Sequence, residues 1–194
     1  PIVCFIDEAE KLLGQTRAGT MYRTADAARD SAESILLQFM EDDNSGVFFI
    51  FTANDYDKMS PALLDRFHGR FFIDLPSRSA RKDIISSMLE IRQRNASEFD
   101  VGALVEISDG FSGRDIRTAI DEAMKSAFFQ DARPLVDSDL VEAFAQAIPT
   151  SEIHKEQIAE MREMVSQGKM RGANSQELEG GALVVKGGGQ IEWV

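Results

Sequence analysis

Cysteine is almost absent: Cys4 is the single one in 194 residues. That excludes a disulfide framework and a cysteine-rich zinc site. Histidine is equally scarce, with only His68 and His154, too few for a histidine metal cluster. No apolar run reaches the ~18 residues of a membrane span. The opening Pro-Ile-Val-Cys-Phe-Ile-Asp lacks a basic flank and is too short for a secretory signal. Basic charge is in short supply too: 21 Lys and Arg stand against 33 Asp and Glu, a net of −12. This balance argues against unspecific binding to nucleic acid or to an anionic membrane surface. The expectation is a soluble cytoplasmic protein with no membrane partner. What is present is apolar material for a core, 43% of residues, which excludes wholesale disorder. The length predicts one domain, or one and a half.

The chain starts abruptly at Pro1, on what reads as a core strand. Ile2–Ile6, Val47–Ala53 and Phe71–Leu75 are unbroken apolar runs. Such runs predict strands covered on both faces, as in a parallel sheet. Between the first two, Ala25–Glu41 places apolar residues at three- and four-residue steps, the pattern of a helix. Between the second and third, Ser60 has the character of an N-cap and Pro61 that of a first helical residue. Strand, helix, strand, helix, strand is an α/β layer pattern.

After Pro76 the pattern turns helical. Helices are expected over Ser79–Arg94, over Val101–Ile107, from a Ser112 cap to Phe129, and from Asp137 or Ser138 to just before Pro149. Together they would make a small bundle. A polar helix over Ser151–Gln167 follows, then a Gly-rich tail whose end, Ala182–Val194, reads as a β-hairpin. The expected division is 1–76, 77–147, 148–167 and 168–194.

Candidate chemistry sits at the strand ends. Asp7 and Glu8 follow four apolar residues, the Walker B pattern. One carboxylate there can hold Mg²⁺ and the next can polarise a water. Alone, the same pattern also describes any strand that meets a solvated loop. Asn54 closes the second run, where its amide can orient that water or simply open a turn. Arg66 and Arg70 precede the third run, placed to reach a phosphate on a neighbouring subunit or merely to solubilise a surface.

Order and spacing together carry more than any one of these. Asp7-Glu8, then Asn54, then Ser60-Pro61-Ala62-Leu63-Leu64 with Arg66, then Leu75-Pro76, then Gly110-Phe111-Ser112-Gly113-Arg114-Asp115 strongly resembles the AAA+ ATPases, within them the classical AAA group, over about residues 1–147. The resemblance implies a partial P-loop NTPase core, RecA-like with a parallel sheet, followed by an all-α lid. It implies ATP and Mg²⁺ as cofactors. Asp7 would be the Mg²⁺-associated acid, Glu8 the catalytic glutamate, Asn54 sensor 1 and Arg66 the first arginine finger. Arg70 stands one residue beyond the usual second finger. Gly113 and Arg114 open the lid helix where sensor 2 lies, with Arg117 as the competing choice. As an exposed helix residue, Arg114 could equally pair with acids such as Asp115. Gln15–Thr24, with Tyr22, lies where the family has its second pore loop, and reads equally as a solvated loop. A homo-oligomeric ring, a hexamer, acting on a protein substrate is the implied assembly.

Past the lid, Ile148-Pro149-Thr150-Ser151, Glu156-Gln157-Ile158 and Met161-Arg162 resemble the AAA proteins of plastid genomes and cyanobacteria, as does Leu75-Pro76-Ser77. For a plastid-type member the location would be the stroma.

One element of such an enzyme is missing. No Gly-x-x-x-x-Gly-Lys-Ser/Thr occurs in the sequence. Lys186 with Gly187–Gly189 has the wrong spacing and no hydroxyl residue after the Lys. The chain therefore reads as the carboxyl-terminal part of an AAA module, starting just upstream of Walker B and inactive alone. Its parent would be a mechanochemical ATPase that remodels proteins or complexes. The alternative is a non-catalytic interaction module derived from such a protein. A DNA-acting relative is disfavoured by the net charge.

Overall fold

A computed structural model describes residues 2–13, 23–41 and 46–173. The hairpin expected over Ala182–Val194 and the segment from Gln15 to Tyr22 lie outside the described residues. The chain divides into two compact units, Pro1–Gly69 and Arg70–Val194.

In the first unit, strand β1 (Ile2–Ile6) and strand β2 (Val47–Phe51) pair in parallel, from Ile2 opposite Val47 to Ile6 opposite Phe51. Parallel neighbours require a crossover. Helices α1 (Ala9–Leu13) and α2 (Arg23–Glu41) lie on that connection. A short 3-10 turn, Tyr56–Lys58, precedes helix α3 (Pro61–Leu64). Ser60 caps α3 as its sequence predicts: the hydroxyl oxygen accepts the Leu63 N–H at 3.2 Å, with Pro61 in the first turn. The same hydroxyl donates to the Glu33 carboxylate of α2. Ala9, Leu13, Met59 and Leu63 form the buried core, against Ile6, Leu36, Phe51 and Phe67.

The expectation of strands covered on both faces is corrected here. Cys4, Ile6, Phe49 and Phe51 are half-buried, whereas Val3, Phe5, Phe48 and Ile50 are exposed. In the register, Val3 stands beside Phe48 and Phe5 beside Ile50, so alternate residues fall on opposite faces. Apolar identity permits burial, but burial also needs a covering layer. Among the described residues of this unit only one face has it.

The second unit begins with strand β3 (Phe71–Phe72), shorter than the run Phe71–Leu75 expected from sequence. The backbone leaves the ladder because the Asp74 carboxylate accepts the Leu75 N–H at 2.7 Å, and Pro76 has no N–H to offer. Strand β4 (Arg171–Gly172) pairs with β3 in parallel. Sequence reading did not foresee this strand. β3 is thus not part of the β1–β2 sheet among the described residues.

Helices α4 (Arg78–Ile91), α5 (Val101–Ile107), α6 (Gly113–Phe129) and α7 (Asp137–Gln146) form the bundle. Each of the first three starts on a side-chain cap: Ser77, Asp100 and Ser112 accept backbone N–H groups of Ala80, Ala103 and Asp115. Ile85, Leu89, Leu104, Ile116, Ile120, Leu140 and Phe144 are buried in one core, where the rings of Phe111 and Phe144 stack 5.8 Å apart. At the start of α7, Arg133 grips Asp139 through two bonds of 2.7 and 2.6 Å. The Arg133 guanidinium holds the Asp139 carboxyl below its ordinary range.

The polar stretch expected as one helix over Ser151–Gln167 is two, α8 (Thr150–Ile153) and α9 (Lys155–Ser166). His154, at φ −114° and ψ 30°, departs from helical geometry between them. Arg162 of α9 binds the Asp74 carboxylate through two bonds of 2.8 and 3.0 Å.

Gly110 is the residue that lets α8 close on the bundle. Its φ is 74°, and its carbonyl accepts the Ser151 N–H at 3.2 Å. A Cβ there would stand 2.1 Å from Ser151 Oγ and 2.9 Å from Ser151 Cβ. The left-handed backbone alone costs a non-glycine residue about 1–2 kcal/mol, and the collision adds to it. Gly110→Ala is expected to lower the thermal midpoint by roughly 5 °C or more. Adding Ser151→Gly should recover the collision part and leave the backbone part. An unchanged melt in the single variant would remove this role from Gly110.

Candidate active site

The turn from β1 into α1 gathers the candidate residues of the first unit. Thr52, one step past β2, lies beside Asp7 when the strand register is continued by one residue. The Thr52 hydroxyl donates to Asp7 Oδ1. It also accepts the Glu8 N–H at 3.1 Å. Asn54 Nδ2 donates to Glu8 Oε1 at 3.2 Å. Lys11, one turn into α1, sits 2.6 Å from Glu8 Oε2. The structure therefore brings together Asp7, Glu8 and Asn54, as sequence order suggested. It adds Thr52 and Lys11, which sequence reading left without a role. The Glu8 carboxylate beside it pushes the Lys11 ammonium pKa up from its ordinary value.

Glu8 has a φ of 50°, in the left-handed region. For a residue with a side chain that conformation costs about 1–2 kcal/mol, and such outliers cluster at functional turns. Here the cost is offset locally. Ala9 N–H donates to the Thr52 carbonyl at 2.8 Å, and Lys11 N–H donates to the Glu8 carbonyl at 2.9 Å.

The cluster presents hard oxygen donors: two carboxylates, a hydroxyl and an amide carbonyl. That chemistry fits Mg²⁺ rather than a soft metal. No group of three or more His, Cys, Asp or Glu closes around a metal among the described residues. Mg²⁺ commonly keeps its waters and takes one or two carboxylates plus substrate phosphates, so an open site of this kind suits it.

Arg66 is expected from sequence to stand at a surface. Its side chain is 26% exposed and pairs with Glu41, the last residue of α2. It also donates to the Ala62 carbonyl at 2.7 Å. Arg70 belongs to the second unit, at the start of β3, where its carbonyl accepts the Arg171 N–H at 2.9 Å.

Gly113 and Arg114 open α6 but line different cavities. Gly113 borders one of about 450 Å³ with Ile73, Leu75, Pro76, Ala80 and Ile84. Arg114 borders one of about 480 Å³ between α6 and α7, with Thr118, Glu122, Glu142 and Gln146. The pairing of Arg114 with Asp115 weighed above gives way to capping. Asp115 Oδ2 instead accepts the N–H groups of Ser112 at 2.8 Å and Thr150 at 2.9 Å. Burial alone would push the Asp115 carboxyl up, but hydrogen bonds from Thr150 and Ser112 outweigh it and hold the group below its ordinary value.

A β-α-β unit with paired acids at a strand end, followed by a helical bundle, is a partial RecA-like core with the all-α lid of an AAA+ protein. Residues 1–75 match the AAA family, the ATPase family associated with various cellular activities. The AAA domain-containing protein ycf46 of Trieres chinensis is 29% identical over 181 residues, which cover 92% of this chain and 35% of that protein. The protein of the same name from Guillardia theta is 30% identical over 174 residues, 88% of this chain and 33% of that one. The chain thus spans about a third of the length of these curated relatives. Among solved structures, the FIGL-1 AAA domain in complex with ADP matches at a TM-score of 0.65 and 20% identity, covering 85% of this chain and 57% of that one. This likeness shows the fold. No helix among the described residues is long and apolar enough to cross a membrane.

Proposed function

We propose that the protein containing this chain is a Mg²⁺-dependent ATPase working as a homo-oligomeric ring, a hexamer, that remodels a protein substrate. One observation carries the reading: Asp7, Glu8 and Asn54, from the ends of two adjacent strands, meet through hydrogen bonds at one point. A fold needs only that the strands pair. It does not need both acids and the amide at the same end.

Each residue then has a task. Asp7 would hold the Mg²⁺, which when bound neutralises phosphate charge. Glu8 would take a proton from the attacking water. Asn54, already bonded to Glu8, would fix the direction of that carboxylate and position the same water. The apolar cavity beside Gly113 has the size and lining to take a flat base; Arg114, which borders a different cavity, is a candidate nucleotide contact on the family resemblance alone. Arg66 would serve the neighbouring subunit's nucleotide, for which it must leave Glu41; Arg70 is the second candidate for that task. The 194 residues by themselves should be inactive, because they contain no phosphate loop. The net charge of −12 speaks against nucleic acid as substrate. The expected location is the cytoplasm, or the stroma for a plastid-type protein. Phosphate release from ATP by the full-length gene product, present with Mg²⁺ and lost in a chelator, is the test. No release with Mg²⁺ would refute the reading.

A further inference from the structure

We infer that Thr52 is a positioning residue: its hydroxyl fixes the peptide between Asp7 and Glu8, and through it both carboxylates. The inference rests on the ATPase reading for its consequence in turnover, but not for the contact itself.

A hydroxyl can donate one proton while accepting another, and Thr52 uses both capacities. It donates to Asp7 Oδ1 and accepts the Glu8 N–H at 3.1 Å. Its backbone does the same for the flanking residues: Thr52 N–H donates to the Ile6 carbonyl at 3.0 Å, and its carbonyl accepts the Ala9 N–H at 2.8 Å. One residue therefore holds four successive positions, Ile6 to Ala9, across the point where strand becomes helix. Those four include the left-handed Glu8.

Two things follow for the carboxylates. With Oδ1 engaged by the hydroxyl, Asp7 keeps Oδ2 for a cation, the one-oxygen mode that Mg²⁺ commonly takes. With its own N–H engaged, Glu8 has a fixed Cα–Cβ direction, so Asn54 and Lys11 find the carboxylate in one place. Thr52 acts through both acids and is not itself a reacting group. Valine has the same shape and can make neither bond. Serine can make both.

The test compares Thr52→Val with Thr52→Ser by two readouts. In the 194-residue chain, hydrogen exchange at the Glu8 amide, followed by NMR, should speed up about tenfold or more in Thr52→Val, as loss of one hydrogen bond implies, and stay slow in Thr52→Ser. In the full-length gene product, Thr52→Val should lower kcat for ATP by about tenfold with KM within twofold, and Thr52→Ser should restore it. Unchanged exchange at Glu8 in Thr52→Val overturns the inference. So does an undiminished kcat in Thr52→Val alongside a Glu8→Gln variant that is inactive. Thr52→Ser keeps both bonds and the fold, so fast exchange or lost turnover in that variant overturns it as well. If Glu8→Gln turns over ATP normally, it is the ATPase reading that fails, and the exchange readout alone then decides on Thr52.

Discussion

Glu8→Gln in the full-length gene product is expected to cut ATP turnover by at least about 100-fold, the range for removing a general base, while ATP remains bound. The amide keeps the size of the side chain and can still meet Asn54. It loses the ability to take a proton from water. It also loses the charge that pairs with Lys11 at 2.6 Å, a contact on an exposed face that contributes little to stability. The fold should therefore survive, and the defect should lie in kcat rather than in affinity. Single-turnover phosphate release and nucleotide retention on a desalting column separate the two. A variant that hydrolyses ATP at the parental rate would remove Glu8 from the mechanism.

Phe144→Ala should be the most damaging change to the helical unit. Phe144 is 1% exposed, and its ring stacks on that of Phe111, itself 2% exposed, at 5.8 Å and 17°. It joins α7 to the turn that leads into α6, in a core that includes Leu140 and Ile120. Truncating such a ring costs about 3–5 kcal/mol, from lost burial plus the cavity left behind. Domains of this size have roughly 5–15 kcal/mol in total, so a large share of the margin would go. Phe144→Leu, which refills much of the space, should cost far less. Urea unfolding followed by far-UV circular dichroism gives the comparison. A Phe144→Ala midpoint within error of the parent would mean that the stack carries no weight.

What the sequence made legible was local or followed a fixed order. Ser60 and Ser112 cap helices because a side-chain oxygen needs only the next turn of its own chain, and that is visible in a short window; sequence reading did not foresee the cap at Ser77, two residues before the expected helix start at Ser79. The run Val101–Ile107 and the cap at Ser112 give helix bounds that the structure repeats. The order of Asp7-Glu8, Asn54 and Arg66 pointed to the family match over residues 1–75, while the Gly110–Asp115 part of the resemblance lies beyond the matched residues.

What stayed hidden depends on partners far along the chain. Thr52 acquires its role from a register between strands 45 positions apart, Ile2 with Val47. Nothing in the text of Phe-Thr-Ala-Asn announces it, although continuing that register by one residue would have found it. β4 exists because Phe71–Phe72 offers an edge to Arg171–Gly172, which have no strand character of their own. The exposed face of β1 and β2 is likewise set by what packs nearby, not by residue type.

The left-handed backbone at Glu8 has one more consequence. Glycine would sit there with no penalty, and asparagine with less than glutamate. On the ATPase reading proposed for this chain, the chemistry asks for a carboxylate at the same position. Stability and activity therefore pull in opposite directions at a single residue. A library of position 8 variants sorted only for resistance to heat would enrich sequences that fold better and have no base to offer.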